Sequence, residues 1–494
     1  MKSIQLIATF SMLSMSLISQ NDIDAIRYSQ TYFGGTSRSK AMAGSFGALG
    51  ADGSCMGINP AGIGLYKKGD MNISFGLKFN SVEATHNGTM NKNFKASVPF
   101  DGLTLVGAWD SKQKPENHHA LGLSMNQIAN FNSNITIEGR ANNKSIMDDI
   151  MATAKGNTVA NLDGSYAGLA YEVYLMDTLN GKYYTFVNSK YDVKQTKNIE
   201  TRGRVNEWCF NYAYGYNDKL YIGATLGVPT ISYNHTSVYT EIDDKDSIRR
   251  DTYAPNSVVD YVGFGGFKSL SYQETYKTIG TGYNLKLGII YRAADFIRLG
   301  ASFNSPTVYN LTDTYVYKMS SQFDEGANYS SQYPPDNGGK YNYQIITPMK
   351  FTGSVALLYK KFGAINIDYD IINYKHASLQ SNPQTFTEVN TSIRNKYAQT
   401  SNLRVGAEAN LKPMFIRLGY AMYGSPFGET FNADFVKSFY TGGVGFRKDK
   451  WYIDISFTKS LSNENYYMYN PNYVDKTTLK NSGTTIALSL GSKF

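Results

Sequence analysis

Long apolar runs, cysteine and histidine are what this chain of 494 residues has least of, and each shortage closes off a class of protein. Beyond residue 20 nothing offers about 18 consecutive apolar residues, so a helical membrane protein is excluded. Two cysteines, Cys55 and Cys209, cannot build a disulfide framework. They leave one possible staple in an oxidising compartment, set against two separate buried thiols. The five histidines are His86, His118, His119, His235 and His376. The adjacent pair His118 and His119 falls at an expected turn without second-ligand spacing, so no metal site is expected. Gly263 to Ser269, GFGGFKS, has Phe267 where a phosphate loop needs glycine before its lysine. Asp243, Asp244 and Asp246 lack the glycine and distal glutamate of a calcium loop. No catalytic constellation emerges, so neither enzyme activity nor a cofactor is expected. The formal charge of +8 comes without a basic cluster, which argues against nucleic acid and suits contact with anionic headgroups.

What is abundant is tyrosine (40), phenylalanine (26) and glycine (45), against 13 prolines and 3 tryptophans. Lys2 followed by an apolar, serine-interrupted run from Ile4 to Ile18 reads as a secretory signal peptide over residues 1–19. From Met71 onward the chain alternates with period two. In Met71 to Ser81, Ile73, Phe75, Leu77 and Phe79 share one face while Asn72, Ser74, Gly76 and Lys78 share the other. Fourteen such stretches are expected, at 71–81, 91–109, 118–128, 205–216, 219–235, 271–292, 296–319, 341–360, 362–376, 399–410, 413–423, 438–448, 450–461 and 481–494. Strands of 9 to 11 residues with alternate apolar positions are enough to cross a bilayer.

From the third stretch on, the links alternate between short and long. Asn217-Asp218, Ala293 to Asp295, Lys361, Leu411-Lys412 and Asp449 are tight; 129–204, 236–270, 320–340, 377–398, 424–437 and 462–480 are long. Short periplasmic turns, long extracellular loops and an even strand count define an outer-membrane barrel. A soluble sandwich would alternate too, but its links would not sort into two sets. The fold class expected is therefore all-β, a 14-stranded antiparallel transmembrane β-barrel occupying 71–494. In loop 129–204, SIMDDIMATA (Ser145 to Ala154) is expected to form a short helix with Ile146, Ile150 and Met151 on one side. The loop would either present a greasy mouth or pack on other loops.

Strand phase places Lys286, Arg292, Arg298, Arg404, Glu408, Arg417, Arg447, Asp454, Asp368 and Asp370 inward. Cys209 is inward too. Buried charges need partners, so most are expected to be ion pairs.

Residues 33–66, FGGTSRSKAMAGSFGALGADGSCMGINPAGIGLY, fit neither strand nor long helix, and their glycines suit tight turns and close backbone approach. This tract runs into Asn59, Pro60, Ala61 and Gly62, and the chain ends on an amphipathic strand, Thr484 to Phe494, with a terminal aromatic. Together these features resemble the FadL/OmpP1/TodX family of outer-membrane transport proteins. The resemblance implies an amino-terminal plug (hatch) over residues 20–70, residence in the outer membrane of a Gram-negative cell, and insertion by the barrel-assembly machinery acting on Phe494. It further implies passive uptake of small hydrophobic molecules, long-chain fatty acids or aromatic compounds, with lateral release beside a kinked third strand. Gly122, Asn126 and Gln127 are where that kink is expected.

The ligand pocket expected on this reading combines Met42, Phe46, Leu49, Met56 and Ile58 with inward cations such as Arg298, Arg404 and Arg417. The partners expected are a hydrophobic small-molecule ligand and the outer-membrane lipid and lipopolysaccharide around a monomer. The competing reading is a non-transporting barrel of FadL type that docks or shuttles secreted or partner proteins.

Overall fold

A computed structural model describes residues 22–494 apart from 113, 186, 188–191, 249–265, 325, 337, 382–385 and 429–434. The expected signal peptide at 1–19 and the glycines at 263 and 265 lie outside the described residues.

Fourteen antiparallel strands close into a transmembrane barrel. They are β1 (Asp70–His86), β2 (Thr89–Ser97 and Phe100–Asp110), β3 (His118–Asn130 and Ser133–Arg140), β4 (Lys194–Tyr216), β5 (Leu220–Ile242), β6 (Phe267–Ala294) and β7 (Ile297–Asn304 and Val308–Phe323). The series continues with β8 (Gly339–Ile346 and Lys350–Tyr359), β9 (Gly363–Asn373), β10 (Gln399–Leu411), β11 (Met414–Tyr423), β12 (Lys437–Lys448), β13 (Trp451–Tyr466) and β14 (Thr477–Lys493). Closure comes from β14 on β1, in register from Asp70↔Lys493 to Thr85↔Thr478. Closure leaves no sheet edge in the lipid, which is the condition for strands to cross a bilayer.

The outward positions carry the expected belt. Met71, Phe75 and Leu77 on β1, Leu285, Leu287 and Ile289 on β6, and Trp451, Ile453 and Ile455 on β13 are all exposed. Their inward neighbours Asn72, Ser74, Lys286 and Asp454 are buried.

Several strands run far past the expected bounds. β4 and β5 each have 23 residues and β6 has 28, so the expected loops 129–204 and 236–270 shrink to 141–193 and 243–266. The reason is a change of solvent along the strand. On β4 the outward residues are Trp208, Phe210 and Tyr212 in the belt, and Arg204, Arg202 and Glu200 above it. Above the bilayer the apolar side of the strand is the inner one, so a search for outward apolar residues stops at the membrane surface.

The segment 141–193 folds back into the wide upper end. Its α-helices at Ile146–Ala154 and Ala167–Glu172 bury Ile146, Met147, Ile150, Leu169 and Val173 against Tyr239, Leu270, Tyr272, Tyr317, Met319 and Leu479 from the inner wall. Ser145 caps the first helix in a capping box with Asp148. The expected helix is present, and its apolar side packs inward instead of presenting a greasy mouth. Glu241 fixes it further, accepting from Ser145 Oγ (2.6 Å), Ile146 N (2.9 Å), Tyr239 OH (2.6 Å) and Gln195 Nε2 (3.0 Å).

Candidate functional site

Residues 22–69 fill the lumen below the upper insertion with three helices, α1 (Asp22–Ser29), α2 (Ser37–Ala41) and α3 (Cys55–Ile58), and a 3-10 turn at Pro60–Leu65. Of these α1 lies highest, packed on Tyr309, Leu311 and Tyr343 and paired through Asp22 with Lys396, and the rest lies in the lower lumen. Glycine makes long regular structure costly here, so the segment takes its shape from the wall. Asn59 is the hub. Its Nδ2 donates to Gly47 O (2.6 Å) and to Ile289 O on β6 (3.1 Å), and its Oδ1 accepts from Ala61 N (3.2 Å). Pro60 begins the turn with its φ pre-set, and its carbonyl accepts from Asn211 Nδ2 on β4 (3.3 Å). Only glycine on the wall allows this approach: a Cβ at Gly288 would sit 1.9 Å from Asn59 Oδ1, and one at Gly223 2.5 Å from the Pro60 carbonyl carbon.

Charges complete the attachment. Arg417 is 1% exposed and lies between Glu408 (2.6 Å) and Asp454 (2.5 Å); Arg38 of α2 grips the same Glu408 through two bonds of 2.9 and 3.0 Å. Arg404 holds Asp370 (2.5 Å) and Asp368 (3.3 Å), and Asp368 in turn accepts the backbone N–H groups of Phe46 and Gly47 at 3.1 Å. Lys40 pairs with Asp101 (2.6 Å) and Lys286 with Glu207 (2.5 Å).

At the lower rim Lys67 meets His118 and Asp218, and His118 also reaches Asp110 (2.6 Å). Burial of Asp218 works against its charge, but the bonds from Lys67 and His118 prevail and hold its carboxyl below the usual range. His118 therefore belongs to a latch at the turns, while His119 lies on the outer face, stacked on Trp109 and bonded to the Tyr212 hydroxyl.

Two cavities lie between this segment and the inner wall. The first, about 310 Å³, is bordered by Tyr32, Phe33, Phe131, Phe439, Lys78 and Lys437. The second, about 120 Å³, is bordered by Tyr28, Ile58, Tyr309, Ile372, Lys350 and Arg404. Tyr32 and Phe33 line both and form the partition. Lys437 Nζ lies 4.2 Å from the Tyr32 ring centroid, and neither Lys78 nor Lys437 is ion-paired among the described residues. Lys437 lies over the Tyr32 and Phe439 rings, and Asp101 and Glu464 border the same cavity.

The wall beside the first cavity is interrupted. β2 breaks at Val98-Pro99, and the register of β3 shifts between Gln127 and Ala129. The lower halves of β2 and β3 pair from Gly102↔Asn126 to Asp110↔His118, while no ladder joins Thr89–Ser97 to Ser133–Arg140. Side chains bridge those halves instead: Asn93 Nδ2 donates to Thr136 Oγ1 (3.1 Å), and Thr136 N donates to Asn93 Oδ1 (2.7 Å). The Tyr32 N–H reaches across to Ile128 O at 2.9 Å. The irregularity falls at the expected Gln127; Gly122 has a different task, because a Cβ there would meet Met56 at 2.6 Å.

Of the residues expected to line a pocket, Ile58 and Arg404 border a cavity. Met42, Phe46, Leu49 and Met56 are packed together with Cys55 and Cys209 in the core of the lower segment, and both cysteines are free thiols. Arg417 is spent on its two carboxylates, and Arg298 Nη1 donates to Leu49 O (2.6 Å). The cavity residues that sequence reasoning missed are Tyr32, Phe33, Phe131, Phe439 and Lys437. Lys78 alone carried a signal, as an inward lysine on the first strand.

No protein-family model matches the sequence, and no curated protein is similar to it in sequence. Solved structures share its architecture. The P. putida toluene transporter TodX superposes with a TM-score of 0.54 at 14% identity, covering 94% of this chain and 99% of that one. A Pseudomonas aeruginosa FadL homologue gives 0.54 at 13% identity, with 94% and 99% covered. At such identity the likeness is one of fold.

Proposed function

We propose that this protein is an outer-membrane passive transporter of small hydrophobic molecules, long-chain fatty acids or aromatic compounds, and that residues 20–70 act as its plug. The observation that carries the reading is the pair of cavities bordered by aromatic and charged side chains, one of them set against the interrupted wall between β2 and β3. An apolar solute gains nothing from a water-filled channel, whereas it gains on leaving water for a lined cavity that opens toward lipid. The shared fold with a toluene transporter supports the same reading. In this mechanism the ligand's body rests on Tyr32, Phe33, Phe131 and Phe439. A carboxylate head, where present, meets Lys78 and Lys437, and the ligand leaves sideways where side chains such as Asn93 and Thr136 bridge the wall in place of a ladder.

The test is uptake of labelled toluene and palmitate into proteoliposomes. The full chain should take up at least one of them saturably, and deletion of residues 33–66 should abolish saturation. An Asn93→Cys/Thr136→Cys pair should block uptake when oxidised and restore it on reduction. Uptake that ignores the crosslink would remove the lateral route.

The docking reading draws on a different observation. The upper insertion turns its apolar residues inward, which leaves the loops a closed outer surface. A docking barrel would take up neither compound and would keep its partner after the same deletion.

A further inference from the structure

The outer surface of β6, β7 and β8 is layered in register. The belt ends on Tyr283, Val308 and Ile346, which face one another across the three strands. The next outward register row is Thr281, Asn310 and Gln344, continued by Gln380 of the short strand Ser378–Gln380. Beyond it come Ile279, Thr312 and Asn342, and then Lys277, Thr314 and Lys340. Moving up the wall, a lipid molecule therefore meets apolar side chains, then amides and hydroxyls, then two exposed lysines without an ion-pair partner among the described residues.

The amide rows are also concave. Ser378–Gln380 pairs only with Gln344–Ile346, so residues 339–343 pair on one side alone among the described residues. A groove of about 480 Å³ remains, lined by Asn310, Thr312, Asn342, Gln344, Gln380 and Ser381. Within it Gln344 Nε2 donates to Asn310 Oδ1 (2.8 Å), Thr312 Oγ1 to Asn342 Oδ1 (2.7 Å) and Ser381 Oγ to the Asn342 carbonyl (3.2 Å). These bonds orient the side chains and leave the Asn310 and Asn342 amide nitrogens and the Gln344 amide oxygen available to a ligand.

We propose that this face binds a phosphorylated glycolipid of the outer leaflet. Its acyl chains would lie on the belt below Val308 and Ile346, its sugar would sit in the amide groove, and its phosphate would meet Lys277 and Lys340. The surface is continuous with the lipid belt, so the occupant is a lipid. Side-chain amides supply the paired donors and acceptors that sugar hydroxyls need, and two lysines without carboxylates supply the counter-charge for phosphate. A zwitterionic phospholipid has no sugar for the groove. The inference rests on the outer-membrane reading above and is independent of what the lumen carries.

The experiment uses the full chain reconstituted with bis-phosphorylated lipid A or with phosphatidylethanolamine, then extracted into mild detergent and weighed by native mass spectrometry. The wild-type protein should retain one lipid A and no phosphatidylethanolamine. Lys277→Glu/Lys340→Glu and Asn342→Leu/Gln344→Leu should each lower retention about tenfold, the loss of roughly 1.4 kcal/mol of contacts. Lys448→Glu, an exposed lysine on β12 without an ion-pair partner among the described residues, should change nothing. Heat-modifiable gel migration confirms that each variant is folded. Equal retention in both double variants, or equal retention of the two lipids, would overturn the proposal. Toluene uptake by the same preparations reports separately on the transport reading.

Discussion

Residues 33–66 and the insertion at 141–193 fill different levels of one lumen, and each is fixed there mainly by a different chemistry. The lower body is tied to wall carboxylates by Arg38 on Glu408, Lys40 on Asp101 and the Phe46 and Gly47 N–H groups on Asp368, and by glycine-seated backbone, while the upper body is tied by Ile146, Ile150, Leu169 and Val173 on a wall of tyrosines and aliphatics. The strands themselves explain the contrast. Where lipid lies outside, a strand with period two spends its apolar residues outward and offers Asn, Ser, Asp and Arg to the lumen. Where water lies outside, the same strand reverses, and its inner face becomes Tyr239, Leu270, Tyr272 and Leu479. A body that fills the lower end has to satisfy polar groups, and one that fills the upper end has to bury apolar ones.

Breaking the wall network on which Arg38 seats the lower body should cost most. Arg417→Ala leaves Glu408 and Asp454 facing each other with one cation removed, and removing one partner of a buried pair costs about 3–5 kcal/mol. Denaturant unfolding in micelles measures it, and a loss below about 1 kcal/mol would show that the lower network is ornamental to stability.

The upper body should fail differently. Ile150→Ala empties a fully buried site, at about 2–4 kcal/mol, but the loss should stay local. Hydrogen exchange should accelerate over 145–175 while the barrel's unfolding midpoint holds. A shift of the midpoint instead would mean that the two bodies are one cooperative unit.

The smallest effect expected is a pH dependence confined to the upper body. Burial raises the Glu241 carboxyl above its ordinary range, against the four bonds it accepts. A carboxyl raised in the folded state favours folding most fully below the unfolded value and loses that contribution as pH rises through the folded one. Protection of residues 145–154, corrected for intrinsic exchange, should therefore grow as the medium is acidified through that window. Glu241→Gln should flatten the trend. Asp218 at the opposite rim is depressed instead, so the lower latch should weaken on acidification. Parallel behaviour of the two ends would contradict the contrast drawn between them.

Legibility followed the same division. The belt portions of the strands, the tight links and the inward phase of Arg404, Glu408, Arg417 and Asp454 could all be read from alternation alone. The irregularity at Gln127 was expected from the family resemblance and not from alternation. The upper halves of β3 to β8 could not, because the rule that apolar faces outward reverses at Arg204 on β4 and at Lys277 on β6. The pocket was misplaced for a related reason. Met42, Phe46 and Met56 are apolar residues in a polar lumen, and they satisfy that condition by packing on one another instead of lining open space.

Taken by itself, the sequence determined that period-two strands alternate with short and long links, that their number is even, and that a glycine tract precedes them. Those are local properties, since alternation reports only what lies on either side of a strand. The tertiary structure alone decided which side chains meet across the lumen, as Arg38 meets Glu408 from 370 residues away. It also decided where the ladder between β2 and β3 fails and where the cavities remain. Each of these depends on the distance between elements that the barrel brings together only when it closes, and no window of sequence contains both partners.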